Sequence, residues 1–327
     1  MKLGIFTAFR NMHKYYVKSC EELGIEYELI DIIGNNWLDE VKNSNCDGFL
    51  CRPPSKFQER KSMFDERLYI INKWLNKPIY PSYDELFIYE NKKMMSYFFK
   101  IRDIPHVKTN IFYRKEDCLD FINSCNFPQV FKTNIGSTSK GVKIIKSKFE
   151  AKMIAQKVFG MFGSKLSKGY TPQTTGKIIP VNAIGSRQKH YIIFQDFEKI
   201  KWEWRIIKID NSYFGRKKLL KGYFASGSDL AGFDNPPKDL LLLTKKICDL
   251  GGFNSMAVDI FETEDGRFLV NELQSIFGCK NPYQMCLDGK PGRYLFEEDK
   301  FVFEEGEFDI YDIYKIRVKH FLKLLSK

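Results

Sequence analysis

None of the eight cysteines stands in a CxxC pair, and only four histidines accompany them. That excludes the ligand spacing of a structural zinc site. Scattered thiols of this kind are expected as buried free side chains in a reducing compartment. No stretch approaches 18 uninterrupted apolar residues, so no membrane span is expected. Met1 to Thr7 begins like a strand and lacks the apolar run of a signal peptide, so the expected location is cytoplasmic. There is no internal repeat, no low-complexity tract, and no glycine-rich dinucleotide fingerprint after the first strand. No RNP-like aromatic pattern accompanies the basic residues, so nucleic acid is not expected as a partner.

What is present describes a globular protein of two or three subdomains: 327 residues, 43% hydrophobic and 28% charged. The net charge of +11 is unevenly placed. Residues 132–221 hold 20 Lys and Arg against 5 Asp and Glu, whereas the remainder holds 32 against 36. Such a local excess points to an anionic ligand more than to a basic coat.

Residues 3–33 read as strand, helix, strand, with Gly24 as the helix stop. Gly48 to Cys51 adds a third short strand before Pro53 and Pro54. This rhythm implies a small parallel sheet to about residue 85. A helix is expected from Asp84 to Ile101, followed by Ile104-Pro105 and a β-rich middle segment. Residues 160–190 read as a long loop or lid. A helix is expected over 236–250, with Asn235 as cap, Pro236 in its first turn and Gly251 as its end. Ile310 to Leu325 reads as an amphipathic basic helix docked on the body.

Two stretches carry chemistry. Met256 to Phe261 and Phe268 to Gln274 flank Asp265-Gly266, a two-residue hairpin signal. With Glu264 opposite Arg267, the register sets Asp259 across from Glu272, and Gln274 shares the face of Glu272. Two carboxylates about 5 Å apart on an apolar hairpin repel. A divalent cation removes the conflict, and oxygen ligands favour magnesium or calcium over zinc. The second stretch is the short strand Gln129 to Phe131, which delivers Lys132 to the loop Gly136-Ser137-Thr138-Ser139-Lys140-Gly141. Val142 to Ile145 returns as a strand. Small residues let successive backbone N–H groups turn toward an anion. The arrangement is a phosphate flap and not a Walker A loop, because the Gly-Lys-Ser/Thr ending and the following helix are missing.

In order and spacing, residues 86–278 resemble the ATP-grasp superfamily, which includes D-alanine–D-alanine ligase and the ribosomal-protein glutamate ligase. Asn91-Lys92, thirteen residues before Pro105, resembles the family's Asp-Lys. Lys92 and Lys132 then match its two phosphate-binding lysines. Gln195-Asp196-Phe197 resembles the hinge that receives adenine, and Glu203-Trp204-Arg205 the Asp-x-Arg that follows. Asp259, Glu272 and Gln274 match the metal ligands, with Gln274 where the family has asparagine. Ser275-Ile276-Phe277-Gly278 replaces the usual Ser/Thr-Pro-Gly. Phe224 to Ser228 resembles a segment of members associated with surface-glycan synthesis.

The resemblance implies an α/β ATP-grasp fold in three parts. These are an N-terminal parallel-sheet domain (1–85), a central subdomain bearing the phosphate flap (86–194) and a C-terminal antiparallel-sheet subdomain with the metal site (195–327). It implies ATP and magnesium as cofactors, with Gly136, Ser137, Ser139 and Gly141 at the phosphates and Arg205 as catalytic residue. The activity expected is ATP-dependent ligation of a carboxylate, on a small molecule or a glycan uronic acid, to an amine through an acyl phosphate. The rival expectations are a regulatory ATP-binding protein and a kinase on the same fold.

Overall fold

The computed structural model describes residues 1–9, 11–53, 57–136, 141–160, 189–225, 230–278 and 281–327. Among them the strands form three sheets.

The first is parallel. Strands β1 (Lys2–Thr7), β2 (Glu26–Asp31), β3 (Gly48–Leu50) and β4 (Ile79–Tyr80) lie in the order β2-β1-β3-β4. Helices α1 (Lys14–Leu23), α2 (Trp37–Asn43) and α3 (Gln58–Tyr69) make the crossovers. Leu3 to Phe6 are buried, as expected of a parallel strand covered on both faces. Gly24 ends α1 in the left-handed conformation, as its position in the sequence predicts.

The helix expected from Asp84 to Ile101 is broken. The structure has α4 (Tyr83–Ile88) and α5 (Lys92–Ile101) instead. Ser82 and Glu85 form a capping box at the start of α4, and the Asn91 side chain caps α5 by accepting from Met94 N. Between them Glu90 stands at φ +53°, outside any helix. Ile88 of α4 shares a core with Met95 and Phe99 of α5, whereas Leu86 joins the core of the parallel sheet, so the break lets one segment serve two cores.

The second sheet to complete itself contains β5 (Thr109–Phe112), β6 (Gln129–Lys132), β7 (Val142–Ile145) and β8 (Ile192–Asp196), ordered β5-β8-β6-β7 and antiparallel throughout. Helices α6 (Lys115–Ser124) and α7 (Lys148–Phe159) pack on one side around Phe131, Ile145 and Phe194. The loop expected over 160–190 falls almost wholly outside the described residues, as do flap residues 137–140.

The largest sheet is antiparallel. Its path is β13 (Phe268–Gln274), β12 (Ser255–Thr263), β9 (Ile200–Ile209), β10 (Ser212–Lys218), β15 (Lys290–Glu297) and β14 (Cys286–Leu287). Short β11 (Ala231–Gly232) pairs with β10, and β16 (Lys300–Glu305) with β15. Strand alternation gives β9 two unlike faces. Trp204 and Ile206 join the core under α5 and α8 (Lys238–Gly251). Glu203 and Arg205 lie on the opposite face, which turns apolar at Ile207 and Ile209 beneath α9 (Ile310–Leu325). That last helix docks on the body as expected, stacking Tyr314 on Tyr15 of α1 at 5.1 Å and pairing Lys315 with Glu22 at 2.5 Å.

Helix α8 starts two residues later than its sequence signal, with Pro237 at the N-cap; Asn235 instead bonds to Asp288. Gly251 lies within the helix, where a Cβ would stand 2.4 Å from the Phe253 ring, and Gly252 at φ +62° ends it. A Cβ on Gly252 would meet nothing within 4 Å, so Gly252→Ala tests conformation alone. The expected result is a loss of roughly 1 kcal/mol in urea unfolding with an unchanged slope. The cysteines among the described residues are free, six of them buried and Cys125 half-buried. No helix among the described residues is long and apolar enough to cross a membrane.

Candidate functional site

Asp259 and Glu272 face each other, but by a different route from a two-residue turn. The loop has three residues, Glu264 to Gly266: Thr263 N donates to Arg267 O at 3.0 Å, and Gly266 takes φ +84°. Pairing then runs Phe261–Leu269 and Ile260–Val270, one residue out of the expected register, until a bulge between Ile260 and Asp259 restores it. Asn271 is the extra residue. A bulge re-aims the side chains beside it, and here it delivers Asn271 into the site.

One face of the large sheet carries a rank of buried and half-buried charges. Strand pairing sets Lys218 opposite Glu203, Arg205 opposite Asp259, and Asp259 opposite Glu272. Asp259 is fully buried and its two oxygens are engaged. Arg205 donates from Nε and Nη2 at 2.8 Å each, and Lys218 donates to Oδ2 at 2.6 Å. Burial alone would raise the Asp259 pKa, but the two cations outweigh it and hold the carboxyl far below the usual range. Lys218 also contacts Glu203, whose other oxygen accepts from Asn271 Nδ2 at 3.1 Å. Asn271 Oδ1 in turn accepts from Lys132 Nζ at 2.9 Å. Burial pushes the Lys132 ammonium down to about 8, with Glu272 opposing the shift and Lys92 adding to it.

Lys92, at the first position of α5, is ion-paired with Glu272 at 2.9 Å and donates to Gly136 O at 2.9 Å. Glu90 is 1% exposed and accepts from Gly136 N at 3.1 Å, while the Gln274 side chain bonds to it. Burial raises the Glu90 pKa; Lys92 lowers it and Glu272 adds to the rise. The break between α4 and α5 therefore puts a carboxylate and an ammonium against the base of the flap. At the far end of the flap, Gly141 stands at φ +84°, and a Cβ there would lie 2.1 Å from Thr133 Oγ1.

Lys92, Lys132, Gly136 and Glu272 line a cleft between the two antiparallel sheets, together with Gln195, Asp196 and Phe197 of the hinge. Its inner walls are apolar: Val130 and Ile144 from one sheet, Ile200 and Phe261 from the other, with Phe197 and Tyr223 meeting edge to face at the mouth. Gln195 donates to Thr109 Oγ1 and Asp196 accepts from Gln129 Nε2, so the hinge is pinned to the smaller sheet. Arg205 and Asp259 form a charged floor beside the lining, Gln274 reaches the site through Glu90, and Ser137 and Ser139 lie outside the described residues.

Glu90, Lys218 and Asn271 belong to the site and were not expected there. Arg216 and Lys218 share a face of β10 by simple alternation, a signal available in the run Arg216-Lys217-Lys218. The other two depend on a left-handed residue and a bulge, which composition does not announce.

The fold is similar to that of solved structures. A D-cycloserine synthetase superposes with a TM-score of 0.62 at 13% identity, covering 98% of this chain and 100% of that one. An N5-carboxyaminoimidazole synthetase from Staphylococcus aureus, complexed with ADP, gives 0.59 at 12% identity over 90% and 81%. A RimK domain ATP-grasp protein from Sphaerobacter thermophilus gives 0.54 at 14% identity over 85% and 92%. The chain matches no family model and no curated protein sequence. Its fold is the ATP-grasp fold, an α/β architecture of one parallel and two antiparallel sheets.

Proposed function

We propose that the cleft binds ATP with magnesium and that the chain ligates a carboxylate to an amine. The observation that carries this reading is the composition of the cleft. An apolar slot between two sheets, suited to a planar base, opens onto Lys92, Lys132, Arg205 and Lys218, which are matched by Glu90, Glu203, Asp259 and Glu272. A site already neutral in itself takes a triphosphate best with a cation. Among the described residues no three His, Cys, Asp or Glu side chains gather to hold a metal. Magnesium bound by one or two carboxylates and completed by phosphate oxygens fits that donor set. Glu272 and Gln274 would supply its protein oxygens, with Asp259 beside them on the facing strand, its carboxylate still holding Arg205. Bound there, the ion would neutralise phosphate charge.

The chain's own residues do the rest. Lys92 and Lys132 take the phosphate oxygens, the Gly136–Gly141 flap donates backbone N–H groups, and Gln195 to Phe197 receive the adenine. Arg205, oriented by its two bonds to Asp259, turns its remaining N–H groups to the transferring phosphoryl. The γ-phosphoryl passes to a carboxylate oxygen and ADP leaves. The amine nitrogen then attacks the acyl carbon, the C–N bond forms as the C–O bond to phosphate breaks, and the amine proton is lost. Synthetases among the similar structures, one of them complexed with ADP, support the reading. We keep the division at 1–85, 86–194 and 195–327 as the working set of domains.

The excess charge of residues 132–221 is a weaker guide to a uronic-acid substrate, because part of it is paired locally. Lys143 bonds to Glu150 and Lys201 to Glu262, both lysines being more than 40% exposed. ADP release measured across amino acids and uronic acids tests the whole proposal. Release that depends on a carboxylate and an amine together supports a ligase. Binding without acceptor-dependent release would identify a regulator, and a phosphorylated product a kinase.

Lys132 adds a pH signature. A lysine whose pKa falls to about 8 on folding binds fewer protons than the unfolded chain between there and 10.5. Its burial therefore costs stability at neutral pH, and the cost fades as pH rises through that window. Phosphate affinity runs the other way, because the ammonium is lost. The ATP dissociation constant should rise about tenfold from roughly pH 7 to roughly pH 9. In Lys132→Ala it should be weaker throughout and nearly flat, so parallel profiles would remove Lys132 from the phosphate site.

A further inference from the structure

Five buried donor groups have no hydrogen-bond partner among the described residues: Tyr16 OH, Arg52 Nη1, Ser275 Oγ, Tyr314 OH and Arg317 Nη1. They come from separate parts of the chain, α1, the end of β3, the end of β13 and α9, and they meet around one ring. The guanidinium of Arg52 lies 5.2 Å from the Tyr314 ring centroid and that of Arg317 lies 5.1 Å from it, so the two cations are no more than about 10 Å apart. Tyr16 packs edge-on against Tyr314 at 4.7 Å. Tyr16, Ser275, Tyr314 and Arg317 are all 0% exposed. Arg52 is half-buried.

Buried charges are normally paired, yet among the described residues neither arginine forms a salt bridge. Arg317 Nε donates to Ser255 Oγ at 2.9 Å and Nη2 to Ser275 O at 2.5 Å. Glu85 is the acid within electrostatic reach of Arg317, but its oxygens already accept from the backbone of Ser82 and Ser255. Two cations and three hydroxyls left without acceptors suit an anion with several acceptor oxygens.

Position says which anion. In the order β2-β1-β3-β4 the chain moves outward in both directions from between β1 and β3, and ligands of open parallel sheets bind outside the strand ends at that point. Arg52 follows the end of β3, and Tyr16 lies in the helix that follows β1. Ser275 directly follows Gln274, whose side chain bonds to Glu90 at the base of the flap, so β13 ties these donors to the phosphate end of the cleft. We propose that Arg52, Arg317, Tyr16, Tyr314 and Ser275 hold a carboxylate of the substrate, one not consumed in the reaction, and present the rest of that molecule to the phosphoryl group. This rests on the ligase reading above and narrows its substrate to a molecule with an anchoring carboxylate, as an amino acid has.

The test uses thermal unfolding of the intact chain titrated separately with alanine, glutamate, alaninamide and inorganic phosphate, and with magnesium–ATP as an independent arm. Arg52→Gln and Tyr314→Phe leave the interior packing in place, which truncating Arg317 would not. The expected result is a midpoint raised by alanine or glutamate and not by alaninamide or phosphate. Each variant should lose at least about tenfold in apparent affinity for that probe while keeping the parent response to magnesium–ATP. Equal response to alanine and alaninamide, a response to phosphate alone, no response to either carboxylate probe, or variants that titrate like the parent would overturn the assignment. Loss of the magnesium–ATP response in the parent would sink the nucleotide reading instead, and the carboxylate titration would still be readable.

Discussion

Glu272→Gln is expected to bind ATP within about tenfold of the parent and to release ADP at least about a hundredfold more slowly at saturating magnesium. The asymmetry follows from what the carboxylate touches. In the absence of nucleotide it pairs with Lys92, which keeps a second acid, Glu90, at 3.8 Å and a carbonyl, that of Gly136, at 2.9 Å. The neutral amide fills the same volume, so the flap base and the apolar slot stay as they are and most nucleotide contacts survive. What is lost is the charge nearest to where phosphoryl charge is redistributed. Burial works against an ionised Glu272, yet Lys92 and Lys132 outweigh it and hold the carboxyl below its ordinary pKa, so it enters the reaction as an anion. Parent-level turnover in the variant would refute the role. A hundredfold loss of ATP affinity with unchanged turnover would make Glu272 a binding residue only.

How much of this was legible in the residues themselves depends on what kind of feature each was. The strand expected over Gln129 to Phe131 appears as Gln129–Lys132, and the strand Val142–Ile145 and the amphipathic helix Ile310–Leu325 appear where their residues put them. The Asp259–Glu272 opposition was reached through two offsets that cancel: a loop one residue longer than Asp-Gly suggests, and a bulge at Asn271 that takes the shift back. A loop and a bulge are separately silent in composition, which is why Asn271 was missed. Glu90 was missed because its left-handed backbone breaks a stretch expected as one helix, and because its partner, Gly136 N, lies 46 residues away. Asp259 was expected for its conflict with Glu272. Its own partners, Arg205 and Lys218, come from the next strand and the one beyond, and a hairpin considered alone cannot show them.

Those partners make Asp259→Asn the substitution with the largest expected effect on stability, a loss of about 3–5 kcal/mol in urea unfolding without nucleotide. The parent carboxylate is fully buried and receives three charge-assisted bonds, from Arg205 twice and Lys218 once. An asparagine accepts through one oxygen only and turns an amide toward one of the two cations. Lys218 keeps Glu203, but Arg205 has no other acid bonded to it among the described residues, so a half-buried guanidinium is left uncompensated. Against a total stability of about 5–15 kcal/mol for a typical domain, that threatens the fold itself. Removing the competing cation should return part of the loss, so Asp259→Asn combined with Lys218→Met should be more stable than Asp259→Asn alone. The measurement also separates two roles for this residue. If Asp259 acts chiefly as a magnesium ligand, the single variant should unfold near the parent midpoint without nucleotide and lose only its dependence on magnesium. If it is the keystone of the charged rank, the midpoint falls before any ligand is added. A midpoint unchanged from the parent would refute the structural role assigned to the Arg205–Asp259–Lys218 cluster.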